Sequence, residues 1–207
     1  MKSLKDENKL QLSILIGTPI LITLAIQLGY QKVIDILNAG KLIGLTLIAT
    51  TILTMVANLI PQAIKHKLVF LRIRDELPGC RCHVICKKDN RLDFNAINAK
   101  WPSIFSDSTP KSKRNSLWYH EIYRKVRDRP QVESSHKNFL LYRDATSGML
   151  IIFIASLACY WSNYKFPLLG SIELPALFIQ AIILIIAIVS AQNSGNRMVV
   201  NAIVESV

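Results

Sequence analysis

Charge is missing from four long stretches of this chain. No Asp, Glu, Lys, Arg or His occurs in Leu10–Gln31, Leu42–Ile64, Ala145–Tyr164 or Leu174–Asn196, windows of 22, 23, 20 and 23 residues. A soluble domain carries charge on the outer face of every element, so these windows argue against a wholly soluble fold. A helix rising about 1.5 Å per residue crosses roughly 30 Å of hydrocarbon in about 20 residues. A single charge at the centre of such a helix costs about 2.5–3.5 kcal/mol. The expected class is an all-α membrane protein. It has four transmembrane helices in two hairpins, with a small, mainly helical, basic cytoplasmic segment between helices 2 and 3. The corresponding layout is 1–64 for the N-terminal tail and first hairpin, 65–144 for the cytoplasmic domain, 145–196 for the second hairpin and 197–207 for a tail.

Other absences narrow the function. With no ionisable residue inside any window, a proton- or ion-coupled carrier lacks the group it usually needs. No P-loop, GxGxxG, GxSxG or HExxH occurs, nor a paired-carboxylate cluster. ATPase, kinase, lipase and zinc-protease readings therefore lack their parts, and no cofactor is expected. The cysteines are Cys80, Cys82, Cys86 and Cys159. Three would face a reducing cytoplasm, so no structural disulfide is expected. The first apolar run is too long for a signal-peptide h-region and no A-x-A-like site follows it, so it is read as a retained span.

What the chain has in excess is positive charge. Of 25 Lys and Arg, 18 lie in Lys65–Asp144 with 9 of the 14 acidic residues, which gives that segment +9 of the total +11. The tail adds Lys2, Lys5 and Lys9, whereas the loop after helix 1 has only Lys32 and Lys41, and that after helix 3 only Lys165. By the positive-inside rule both termini and the central segment face the cytoplasm of a cell inner (plasma) membrane. Tyr30, Tyr160, Trp161 and Tyr164 then sit at the outer interface, where amphipathic rings settle.

Within this frame the chain has clear punctuation. Pro19 removes a backbone donor and should kink helix 1, with Thr18 or a neighbour serving the freed carbonyl. Helix 2 ends near Pro61, and Lys65–Glu76 is expected to extend it as a basic amphipathic piece until Leu77-Pro78-Gly79 stops it. Cys82–Lys87 reads as a short strand. Asp93 should cap a helix over Phe94–Lys100, ending before Pro102. Ser103–Lys113 reads as a loop. Leu117, Trp118, Ile122 and Val126 give Asn115–Arg127 a helical period. Pro130 suits the first turn of a helix that runs unbroken into span 3.

Four groups of residues are candidate sites. Thr46, Thr50, Thr54, Asn58 and Gln62 recur every four residues and form a slanted ridge on span 2. The ridge reads as hydrogen-bonded glue between helices, or as the wetted lining of an oligomeric pore. Gln180 in helix 4, and Thr23 and Gln27 in helix 1, also need partners in lipid, which favours packing of the helices and a homo-oligomer. Cys80, Cys82, His83 and Cys86 are potential soft-metal ligands, but C-x-C lacks the two-residue loop of structural zinc knuckles, so no metal is expected. Lys111, Lys113, Arg114, Arg124, Lys125, Arg127 and Arg129 form a basic belt with Trp118, Tyr119 and Tyr123 interleaved. Binding to anionic lipid and a topology role fit this belt better than nucleic acid, at about 1 kcal/mol per basic residue near an anionic leaflet. An anionic nucleotide or a soluble cytoplasmic protein is the remaining partner class.

Arg114-Asn115 followed by His120 resembles the R-x(4–6)-H motif of HEPN ribonucleases. That resemblance implies Arg114 on the phosphate and His120 in acid–base transfer at a dimer interface. The overall layout, two hairpins around a basic segment containing LPGCRCH, SLWYHEIYRK and FLLYRD, resembles small four-pass membrane proteins of bacterial anti-phage defence loci. That resemblance implies an effector that perturbs the inner membrane, or an anchor for a soluble partner; the leading reading of the chain is a non-enzymatic membrane effector or sensor, oligomeric and pore-forming, controlled through the cytoplasmic segment. The alternatives are a membrane-tethered HEPN-like ribonuclease and a scaffold that recruits a soluble partner.

Overall fold

The computed structural model describes residues 8–29, 31–32, 34, 48, 51–52, 54–166 and 170–207. Its long helices are α1 (Lys9–Leu28), α8 (Pro130–Trp161) and α9 (Leu174–Val204). Each is long and apolar enough to cross a membrane. Residues 42–47, 49–50 and 53 of the second uncharged window, Thr46 and Thr50 among them, lie outside the described residues; within it, residues 48, 51–52 and 54–59 are helical. The remaining helices are short: α2 (Gln62–Phe70), α3 (Cys82–Cys86), α4 (Phe94–Lys100), α5 (Pro102–Phe105), α6 (Lys111–Trp118) and α7 (Arg124–Val126). A 3-10 turn, Pro78–Arg81, precedes α3, and a π-helical turn, Tyr119–Tyr123, joins α6 to α7. Strands β1 (Lys165–Phe166) and β2 (Gly170–Ser171) pair antiparallel between α8 and α9.

Several elements follow the sequence expectation. Asp93 caps α4, its Oδ1 accepting from the Asn95 and Ala96 amides at 2.9 and 3.4 Å. From Pro130 the helix runs 32 residues without a break. Others differ. Cys82–Cys86 is a helical turn, not a strand. The amphipathic extension stops at Phe70, because Leu71 turns into the left-handed region at φ 52°. Within the expected Ser103–Lys113 loop, Ser103–Phe105 belongs to the helix Pro102–Phe105 and Lys111–Lys113 opens α6. The helix expected over Asn115–Arg127 begins at Lys111, and its middle widens into the π-turn.

The chain forms two compact units: residues 1–65 with 141–189, and residues 66–140 with 190–207. In the first unit, Leu12, Ile16, Leu141, Ala145, Met149, Ile152, Leu184 and Ala187 form a common core. Gly148 permits close approach of α8 to α1, since a Cβ there would lie 2.6 Å from Ile16 Cδ1. Several polar groups in the apolar helices find partners, although the buried Gln180 Oε1 has none among the described residues. Gln180 Nε2 donates to Thr23 Oγ1 (2.7 Å) and Ser156 Oγ (3.1 Å). Thr18 donates to the Ile14 carbonyl (2.8 Å) and Thr23 to that of Pro19 (2.7 Å), so neither hydroxyl reaches the Leu15 carbonyl that Pro19 leaves without a donor. Lys65 Nζ and Arg143 NH2 converge on Asp144 Oδ1 at 2.9 and 3.0 Å, all three side chains buried.

In the second unit, the 3-10 turn lies against α6. A Cβ at Gly79 would sit 2.4 Å from Asn115 Oδ1 and 2.8 Å from Trp118 Cε3, so only glycine fits. Gly195 likewise lets α9 approach Phe70 and Phe139. Gln192 Nε2 donates to the Val69 carbonyl at 2.7 Å, fixing the last third of α9 to the end of α2.

Candidate functional site: a basic cavity

The second unit holds a cavity of about 540 Å³. Three segments build it. The end of α2 supplies Phe70 and Arg72; the 3-10 turn and α3 supply Arg81, Val84 and Ile85; α9 supplies Gln192, Asn193, Asn196, Arg197 and Val200. The loop after α3 closes it with Lys88, Asp89 and Arg91. Asp89 is the one acidic residue among the described residues of the lining, and it is committed to Arg91. Arg91 Nε reaches Asp89 Oδ1 at 2.9 Å and NH2 reaches Oδ2 at 3.0 Å, and this pairing holds the Asp89 carboxyl below its ordinary range. Arg91 NH1 also donates to Asn201 Oδ1 at 3.2 Å, which ties the loop to α9. Arg72, Arg81, Lys88 and Arg197 thus face the cavity with no further carboxylate among the described residues of its wall. Such a surface attracts a multiply charged anion. The carboxamides of Gln192, Asn193 and Asn196 add donors and acceptors, and Phe70, Val84, Ile85 and Val200 add an apolar wall.

A second cavity of about 390 Å³, lined by polar groups such as Gln131, Ser134, Asn138 and Ser194, also includes Arg197. Arg197 therefore borders both spaces from one position on α9.

The residues singled out in the sequence are distributed differently. Arg114 is 1% exposed. Its Nε donates to the Ile104 carbonyl (2.8 Å), its NH2 to that of Ser106 (2.7 Å), and its NH1 lies 3.4 Å from His83 Nε2. Lys111, Lys113, Arg124, Lys125, Arg127 and Arg129 are exposed, so Arg114 stands apart from the rest of the belt. His120 is exposed on the π-turn, 3.5 Å from Arg124 NH1. Of the interleaved aromatic residues, Trp118 packs against Tyr123, whose Oη lies within 2.7 Å of His136 Nδ1, while Tyr119 is exposed.

Cys80, Cys82 and Cys86 are buried. Burial, with Asp75 nearby, pushes the Cys80 thiol up to about 11, and burial pushes Cys82 up to about 12 against the opposing pull of Arg114. Cys86 also moves up, again by burial. His83 is held below its ordinary value by burial and by Arg114. Among the described residues no three His, Cys, Asp or Glu side chains are grouped as metal ligands. Of the ridge, Thr54 is half-buried, and Asn58 and Gln62 are exposed.

The cavity cations Arg72, Arg81, Lys88, Arg91 and Arg197 do not form a group in the sequence, because they come from segments up to about 120 residues apart. One signal is present there: the Gln192–Arg197 run is polar at the end of an apolar helix. No family model matches the chain, and no curated protein and no solved structure matches it.

Proposed function

We propose that this protein is a non-enzymatic membrane effector or sensor, with the basic cavity as its receiving site. In this reading four helices cross the cell inner membrane, both termini and residues 65–144 lie in the cytoplasm, and several copies assemble around the Thr/Asn ridge of span 2. One observation carries the proposal. Gln192, Asn193, Asn196 and Arg197 line the cavity on the same unbroken helix that begins at Leu174. A rigid helix couples events at its two ends, so a ligand that draws these side chains together biases the apolar part of α9. The committed guanidinium of Arg114 supports a non-enzymatic role, since it already serves two carbonyls.

A membrane-potential dye in cells making the full-length protein tests this. Wild type is expected to depolarise the membrane. Arg81→Glu with Arg197→Glu should preserve the potential by emptying the cavity, and Thr50→Leu with Asn58→Leu should preserve it by drying the ridge. If both double variants depolarise as wild type does, the reading fails. If wild type does not depolarise cells that contain it in the membrane, the protein is an anchor and not an effector.

A further inference from the structure

Beside the cavity lies a feature that a water-soluble anion does not explain. Leu71 is 70% exposed and Ile73 is 82% exposed. They flank Arg72, which lines the cavity, and Arg74 and Lys67 add exposed positive charge on either side. Leu71 holds φ 52°, a conformation that costs a non-glycine residue roughly 1–2 kcal/mol. Two large aliphatic side chains presented to water forgo about 1.5–3 kcal/mol each of burial free energy. Chain distance says what covers them. Leu71 is seven residues beyond Ile64, the last residue of an uncharged window. Seven helical residues rise only about 10 Å, and a headgroup layer is about 5–8 Å deep on each side of the hydrocarbon.

We propose that the cavity is a phosphate-binding site filled by the headgroup of an anionic phospholipid, with Leu71 and Ile73 set into the headgroup layer of the same leaflet. The proposal rests on the receiving-site reading and names its ligand class. Arg72, Arg81, Lys88 and Arg197 supply charge for one or two phosphates, Asn193 and Asn196 supply amide donors, and Phe70, Val84 and Ile85 give the lining apolar surface for the glycerol backbone. The phosphate chemistry is shared with soluble phosphate esters. The exposed Leu71–Ile73 pair is what favours a lipid as its source.

The test uses the full-length protein in nanodiscs of phosphatidylcholine alone or with added cardiolipin, whose headgroup carries two phosphates. Retained lipid is read by native mass spectrometry, and inorganic pyrophosphate added to phosphatidylcholine discs is the soluble arm. Cardiolipin is expected to be retained. At about 1 kcal/mol per basic residue, Arg81→Gln with Arg197→Gln should weaken retention about thirty-fold, and Lys88→Gln, an exposed position that folding tolerates, about five-fold. Leu71→Ser with Ile73→Ser should weaken cardiolipin retention and leave pyrophosphate binding unchanged. Lys87→Gln with Lys100→Gln, the same charge change at exposed positions outside both the cavity and the basic belt, should weaken retention much less than the cavity pair. Equal loss in the two pairs would mean surface charge alone and would overturn the site. Pyrophosphate binding that the cavity pair abolishes, without cardiolipin retention, would overturn the lipid source and leave the sensor reading standing. Binding of neither would overturn both.

Discussion

Asp144→Leu is expected to destabilise the protein by about 3–5 kcal/mol, among the largest effects of any single change. Asp144 is 2% exposed, and two cations reach the same oxygen: Lys65, 2% exposed, and Arg143, 4% exposed. Forming a buried ion pair gains little, because desolvation offsets the Coulomb attraction; breaking one leaves charge buried without its partner. With the carboxylate replaced by an isobutyl group, two buried cations would be set against each other. Lys65→Met should cost less than Asp144→Leu, since Arg143 still compensates the carboxylate. The double variant should be less than additive, because each change removes the same contact. Unfolding in detergent micelles, followed by circular dichroism, measures all three. A loss under about 1 kcal/mol for Asp144→Leu would show that water already reaches the triad.

Arg114→Leu is expected to cost about 2–5 kcal/mol, from one buried and one half-buried carbonyl losing charge-assisted donors. Its guanidinium gathers the stretch after α5, Ile104 to Ser106, onto α6 and the His83 ring of α3. Arg114→Lys should recover little, because a single ammonium on a flexible stem cannot match a planar fork that spans two acceptors. The comparison of these two variants also separates structure from chemistry. If Arg114→Lys kept full stability and removed an RNA-cleaving activity, the HEPN-like ribonuclease would displace the non-enzymatic sensor as the function of this chain.

Much of the helical frame was legible because its cues are local. Asp93 two residues before an amide, Pro130 at a first turn, and the apolar runs of α1, α8 and α9 each act within one or two turns of chain. The misread segments had weak local cues. Val84 and Ile85 favour a strand by propensity, yet the preceding Pro78–Arg81 turn feeds them into a helix that buries Cys82 and Cys86. Arg114 sits among Lys111, Lys113 and Asn115, and nothing in that neighbourhood marks one of the basic residues for burial. The cavity was illegible for a further reason. Its walls are completed by Gln192–Val200 returning to residues 70–91, and the contacts that fix this, Gln192 to Val69 and Arg91 to Asn201, are separations of more than 100 residues.

The buried thiols have a practical corollary. With Cys80 and Cys82 protonated far above neutral pH and Cys86 enclosed, a maleimide finds no thiolate in that cluster. Cys159, partly exposed two residues before α8 ends, is left as the one addressable thiol. The natural chain is thus already its own single-label reporter, and a membrane-impermeant reagent applied to intact cells would read which compartment that end of α8 occupies.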